Sequence, residues 1–209
     1  MISLSKGGNI SLSKESPNST KFLIGAGWDR KRGDSGADFD VDIMAISVGA
    51  DGKARGDHDF FYYGNGPRDA NGHLIKGQPF TNAAKYLFHK GDNRDGEGDG
   101  DDEQLILDTS AVPADISKVI VLLTIFDAET RRQQFGSIEN AYVRVVDAET
   151  PEDESKTIRY DMTEDFGMAT VVTVVEFYRH NTEWKLRAKG EGYSNGIEDA
   201  LRSYGFNVG

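Results

Sequence analysis

Cysteine is absent from the 209 residues, which excludes disulfide staples and thiolate metal sites and fits a reducing compartment. Positive charge is scarce as well: 24 Lys and Arg stand against 35 Asp and Glu, a formal net charge of -11. Such a field repels nucleic acid and anionic membrane and attracts cations, so a DNA or RNA reader is not expected. Long apolar runs are missing. The longest, Val119 to Phe126, is interrupted by Thr124 and falls far short of the roughly 20 residues that span a bilayer. It reads as a buried strand. Met1 to Gly8 contains no apolar stretch suited to a signal peptide, so a cytoplasmic location is expected.

Helical patterns are also few. Ile2 to Lys6 recurs as Ile10 to Lys14 around Gly7-Gly8-Asn9, which predicts an opening hairpin. In Lys21 to Trp28 the alternation of Phe22, Ile24, Ala26 and Trp28 predicts a strand with one face on a core. Further strand-like runs are Phe39 to Val48, Asp59 to Tyr63, Gln104 to Asp108, Lys118 to Phe126, Ala141 to Val146, Lys156 to Asp161, Thr170 to Arg179 and Glu183 to Lys189. Short strands separated by Gly, Asn and Asp clusters predict an all-β, antiparallel two-sheet sandwich in a single domain over residues 1–209. Asn195 is placed to cap a short C-terminal helix from Gly196 to Tyr204, with Glu198 in a capping box and Gly205 as its stop. Thr81 to Lys90 reads equally as a short helix or the start of a strand, and Gly64 to Pro79 and Ala148 to Glu154 read as surface loops.

The chemistry concentrates in two acidic stretches. From Gly91 to Glu103, acidic residues alternate with glycines and only Arg94 opposes them. Glycine lets a backbone fold tightly enough to aim several oxygens inward, and calcium takes six to eight hard oxygens at about 2.3 to 2.6 Å. In Asp38 to Ile43, Asp38, Asp40 and Asp42 alternate with Phe39, Val41 and Ile43, which in a strand puts three carboxylates on one face. Neighbouring members would sit about 7 Å apart and repel by roughly 2 kcal/mol at an effective dielectric near 20. A divalent cation relieves that repulsion; the alternative is a solvated acidic surface. The loop is not an EF-hand. Counted from Asp92, Arg94, Gly96 and Glu97 break the third, fifth and sixth positions, and counted from Asp95, the twelfth is Ile106.

These motifs resemble the TerD family of tellurium-resistance proteins. The likeness runs through Leu4 to Asn9, Gly25 to Asp29, Gly36 to Asp42 and Gly91 to Glu103, and continues in Phe126 to Glu129, Phe135-Gly136, Asn140 to Val146 and Gly190 to Tyr193. It implies a β-sandwich that binds calcium ions at one end and acts, without enzymatic activity, in bacterial tellurite resistance and stress response. It also implies an intracellular protein, in some cases assembled with related Ter-type proteins at the inner face of the membrane. The metal ligands it implies are Asp38, Asp40, Asp92, Asn93, Glu97, Asp101, Asp102 and Glu103, with Asp29 and Asp99 as further candidates. Two departures stand out: Pro67 to Phe88 is longer than the corresponding connection, and Phe126 occupies a position where His is common.

Two other uses of the acidic residues stay open on the residues alone. One is a metal-dependent hydrolase, because paired carboxylates also hold magnesium or manganese and activate water. The other is a calcium-dependent lipid or carbohydrate recognition domain, in which the ion bridges to a ligand. Gly192 to Gly196 matches a nucleophile elbow around Ser194. An elbow needs an acid and then a His further along the chain, yet the last His is His180. His58, His73, His89 and His180 are scattered without zinc-ligand spacing.

Overall fold

A computed structural model describes residues 1–30, 39–75, 77–91, 100–162 and 166–208. The strand-like runs become β1 (Ile2–Leu4), β2 (Asn9–Ser11), β3 (Lys21–Arg30), β4 (Val41–Val48), β5 (Phe60–Phe61), β6 (Phe80–Thr81), β7 (Leu87–His89), β8 (Glu103–Asp108), β9 (Lys118–Ile125), β10 (Ile138–Asp147), β11 (Ile158–Asp161), β12 (Val171–His180) and β13 (Glu183–Tyr193). Helices are short: α1 (Leu12–Glu15), α2 (Ala128–Arg131) and α3 (Ile197–Ser203).

The strands form a seven-stranded sheet, in the order β1-β11-β10-β3-β8-β7-β6, and a six-stranded sheet, in the order β2-β13-β12-β9-β4-β5. Apart from the parallel β1–β11 edge, the paired strands are antiparallel. Alternation sets the faces, because successive side chains leave a strand on opposite sides. Phe22, Ile24, Ala26 and Trp28 of β3 enter the core between the sheets, as do Val41, Ile43 and Ala45 of β4 and Leu105 and Leu107 of β8. A second apolar layer covers part of the outer face of the smaller sheet, where Ala200 and Leu201 of α3 pack on Ile46, Val48, Ile120 and Leu122.

The opening segments do not pair with each other. β1 joins β11 in one sheet and β2 joins β13 in the other, so Gly7, in the left-handed region at φ 79°, turns the chain across the sandwich edge. Alternation identifies a strand but not its partner. Thr81 to Lys90 is not one helix: Phe80 pairs with His89 and Thr81 with Phe88 in a hairpin between β6 and β7. The C-terminal helix forms as expected, and Gly205 follows it at φ 91°. Its capping differs, however. Gly196 is the residue at its start, and Asn195 donates from Nδ2 to Asp199 Oδ2 at 2.7 Å.

Candidate metal centre

Strand direction brings the described parts of the two acidic stretches to the same end of the sandwich. β3 runs toward Arg30, and the chain re-enters the other sheet at β4, so Asp40 and Val41 sit at the end of the sandwich where β3 finishes. β8 is antiparallel to β3 with Glu103 opposite Ala26, which places Asp101, Asp102 and Glu103 at that same end. β4 and β8 pack on each other across the core. Asp40, Asp42, Asp102 and Glu103 are withdrawn from bulk water, at 8%, 4%, 9% and 1% exposure.

Each carboxylate has its own setting. Asp102 Oδ2 accepts the backbone N–H of Trp28 at 3.0 Å, and its own N–H donates to Ala26 O at 2.8 Å, pinning the chain to the end of β3. Glu103 points inward beside His89, with Nε2 to Oε2 at 3.6 Å. His89 is stacked on Phe80, and its Nδ1 accepts from the Gly91 N–H at 3.2 Å; a neutral ring therefore carries its proton on Nε2, toward Glu103. Asp40 lies 4.0 Å from Arg131, the last residue of α2. Asp29 is exposed and accepts from Asn140 Nδ2 at 2.8 Å.

Asp101 is turned away from this group, onto the outer face of the larger sheet. Its carboxylate accepts from Arg144 Nε at 2.7 Å, Gln104 Nε2 at 2.9 Å and the Tyr142 hydroxyl at 3.3 Å. The side chain is fully buried, above Gly25, whose cross-strand neighbours are Arg144 and Gln104. The hydrogen bond to Asp101 raises the Arg144 guanidinium, and burial, followed by the Asp101 charge, pushes the Tyr142 phenol up to about 12. Arg159 stacks on the Tyr142 ring at 3.9 Å and closes the network from outside.

Asp38, Asp92, Asn93, Glu97 and Asp99 lie outside the described residues. Among the described residues no three His, Asp or Glu side chains group as a metal site. Asp40, Asp42, Asp102 and Glu103 do offer the hard oxygen donors that calcium takes. Asp42 also borders a cleft of about 920 Å³ on the outer face of the smaller sheet, with Tyr63, Phe126, Arg132, Met168 and Ser194 around it. Ser194 does sit between a strand and a helix, but no His is among the described residues lining that cleft. His180 ends β12 and pairs with Glu183, at the opposite end of the sandwich from the acidic residues.

Sequence patterns missed the Asp101 network, since Arg144, Tyr142 and Gln104 come from two other strands. The usable signal was Gly25 and Gly27 on the outward face of β3, where a strand otherwise carries side chains.

Comparison with known proteins places this architecture. The TerD domain model matches residues 1–204. The chain is 43% identical over 207 residues to the tellurium resistance protein TerD of Serratia marcescens, covering 99% of this chain and 98% of that one. It is 42% identical over 208 residues to general stress protein 16U of Bacillus subtilis (strain 168), covering 100% and 99%. A crystal structure of a homologue of telluride resistance protein (TerD) from Streptomyces coelicolor A3(2) superposes with a TM-score of 0.60 at 18% identity, over 88% of this chain and 96% of that one. The sandwich is therefore that of the tellurium-resistance and stress-response class. The chain belongs to the TerD family.

Proposed function

We propose that this protein is a calcium-binding, non-enzymatic stress-response module of the tellurite-resistance type. One observation carries the reading: Asp40, just before β4, and Asp102 and Glu103, at the start of β8, lie at one end of the sandwich with their carboxylates drawn out of bulk water. Concentrated, desolvated negative charge is unfavourable, and a hard divalent ion coordinated by several of these oxygens offsets it. Asp40, Asp102 and Glu103 are ligands in this reading, together with the family-implied Asp38, Asp92, Asn93, Glu97 and Asp99. The relatives named for tellurium resistance and general stress support the process. With no thiol and a charge of -11, trapping of an oxyanion by this chain is disfavoured. The role is then indirect, through calcium-dependent assembly with related Ter-type proteins in the cytoplasm or at the inner membrane face.

The test is thermal melting of chelator-treated protein. Calcium is expected to raise the melting temperature clearly more than equimolar magnesium, because metal binding to the native state adds directly to folding stability. Asp40→Ala and Asp102→Ala should abolish that shift and Ser194→Ala should keep it. Equal shifts with both metals, or none, would refute a dedicated calcium site.

A further inference from the structure

We infer that Asp101 is a positioning residue and not a calcium ligand: with Arg144, Tyr142 and Gln104 it latches the end of the acidic segment onto Gly25, and so holds Asp102 and Glu103 at the calcium end. The inference rests on the calcium reading above.

Three observations carry it. First, the Asp101 carboxylate is already committed, with three side-chain donors within 3.3 Å and no exposure to solvent. A carboxylate ion-paired and hydrogen-bonded in this way loses those partners if it turns to a metal, and it leaves the Arg144 guanidinium without the anion it pairs at 2.7 Å. Second, its seat is shaped for it. A Cβ at Gly25 would lie 2.0 Å from Asp101 Oδ2, so only glycine accommodates the carboxylate there. Third, the latch is adjacent in sequence to the groups it would position. Asp102 follows directly, with its N–H on Ala26 O and its carboxylate on the Trp28 N–H, and Glu103 begins the β8 ladder opposite Ala26. Tyr142 adds a second hold on the backbone, donating to Gly100 O at 2.7 Å. Groups that orient metal ligands without touching the metal commonly set affinity, and losing one costs about 10- to 100-fold.

The two roles predict opposite signs for Arg144. If Asp101 were a ligand, Arg144→Gln would remove a cation from the neighbourhood of a dication and release a carboxylate, so calcium would bind equally well or more tightly. If Asp101 is a latch, Arg144→Gln weakens calcium binding by about ten-fold or more, against the Coulombic sign. Calorimetric calcium titrations of the wild type, Asp101→Asn, Arg144→Gln and the double variant decide it. The latch predicts similar losses in the single variants, little further loss in the double variant, and partial recovery in Arg144→Lys. Unchanged or tighter binding in Arg144→Gln, with weaker binding in Asp101→Asn, overturns it. Circular dichroism establishes that each variant is folded, and Arg144→Lys serves should Arg144→Gln not fold.

A second readout needs no calcium. Amide exchange at Asp102 and Trp28 should accelerate by about ten-fold or more in the calcium-free latch variants, since their protection depends on local opening at this point. Unchanged exchange overturns the latch. Wild-type protein that takes up no calcium refutes the calcium reading and the positioning role with it; faster exchange would then leave Asp101 only a structural clasp.

Discussion

Gly25→Ala puts the geometry of the outer face of the larger sheet to a quantitative test. A methyl group there would lie 2.0 Å from Asp101 Oδ2 and 2.1 Å from its Cγ, so the carboxylate must leave its seat. Its departure breaks the 2.7 Å pair with Arg144, in which the Asp101 side chain is fully buried and that of Arg144 is 24% exposed. Breaking a buried pair costs about 3 to 5 kcal/mol, less where one partner can reach water, as Arg144 can. Replacing glycine in a strand interior returns about 0.5 to 1 kcal/mol of backbone entropy. A net loss of about 3 kcal/mol is expected, which for a domain of this size lowers the melting temperature by about 6 to 12 °C. Gly27→Ala is the comparison within the same network, because its Cβ would meet the half-buried Tyr142 ring and hydroxyl at 2.6 Å, so that side chain must shift beneath Arg159 and loosen its bonds to Gly100 and Asp101 while the Asp101–Arg144 pair stays in place. It should cost about 1 kcal/mol, at the low end for overpacking. Chemical denaturation monitored by circular dichroism gives both values without calcium. A Gly25→Ala loss below about 1 kcal/mol, or no larger than that of Gly27→Ala, would refute the reasoning, because either result means the carboxylate does not fill that seat.

Two further outcomes follow from hydrogen bonding and titration. Asp102→Ala removes the acceptor of the buried Trp28 N–H and should destabilise the calcium-free protein by about 1 to 3 kcal/mol in denaturant titration, whereas Asp102→Asn, which keeps a carbonyl oxygen, should cost less. Tyr142, raised to about 12 by burial and by the Asp101 charge, contributes stability that is complete below its ordinary value near 10 and is lost as pH climbs through 12. Ultraviolet titration of the wild type against Tyr142→Phe should show that late ionisation, and Asp101→Asn should bring it part of the way down. A Tyr142 phenol titrating near 10 in the wild type would contradict the network.

The sandwich was legible because its strands alternate cleanly: Phe22, Ile24, Ala26 and Trp28 announce a core face, and the apolar run of β9 announces a strand covered on both sides. Strand partners were less legible. The repeated Ile-Ser-Leu-Ser-Lys segments look like a hairpin, yet backbone hydrogen bonding sends one to each sheet, a choice made by β11 and β13 far along the chain. At the acidic end, composition singled out the two stretches but could not sort the carboxylates. Asp101, Asp102 and Glu103 are consecutive, and the strand register sends Asp101 to Arg144, Asp102 to the Trp28 N–H and Glu103 to His89. Three neighbours in one acidic run thus have three environments, because the groups that distinguish them come from β3, β7 and β10.

The central claim is that a divalent ion binds at the end of the sandwich where β3 finishes and β4 and β8 begin, and the two tryptophans test it directly. Trp28 donates its backbone N–H to Asp102 at that end, while Trp184 pairs with Arg179 at the other. Terbium, a luminescent ion with calcium-like preference for oxygen ligands, can be titrated into chelator-treated protein with excitation where tryptophan alone absorbs. The account predicts sensitised emission that calcium displaces, that Trp28→Phe nearly abolishes and that Trp184→Phe preserves. Emission that follows Trp184 instead, or saturable binding with no emission from Trp28, would contradict it.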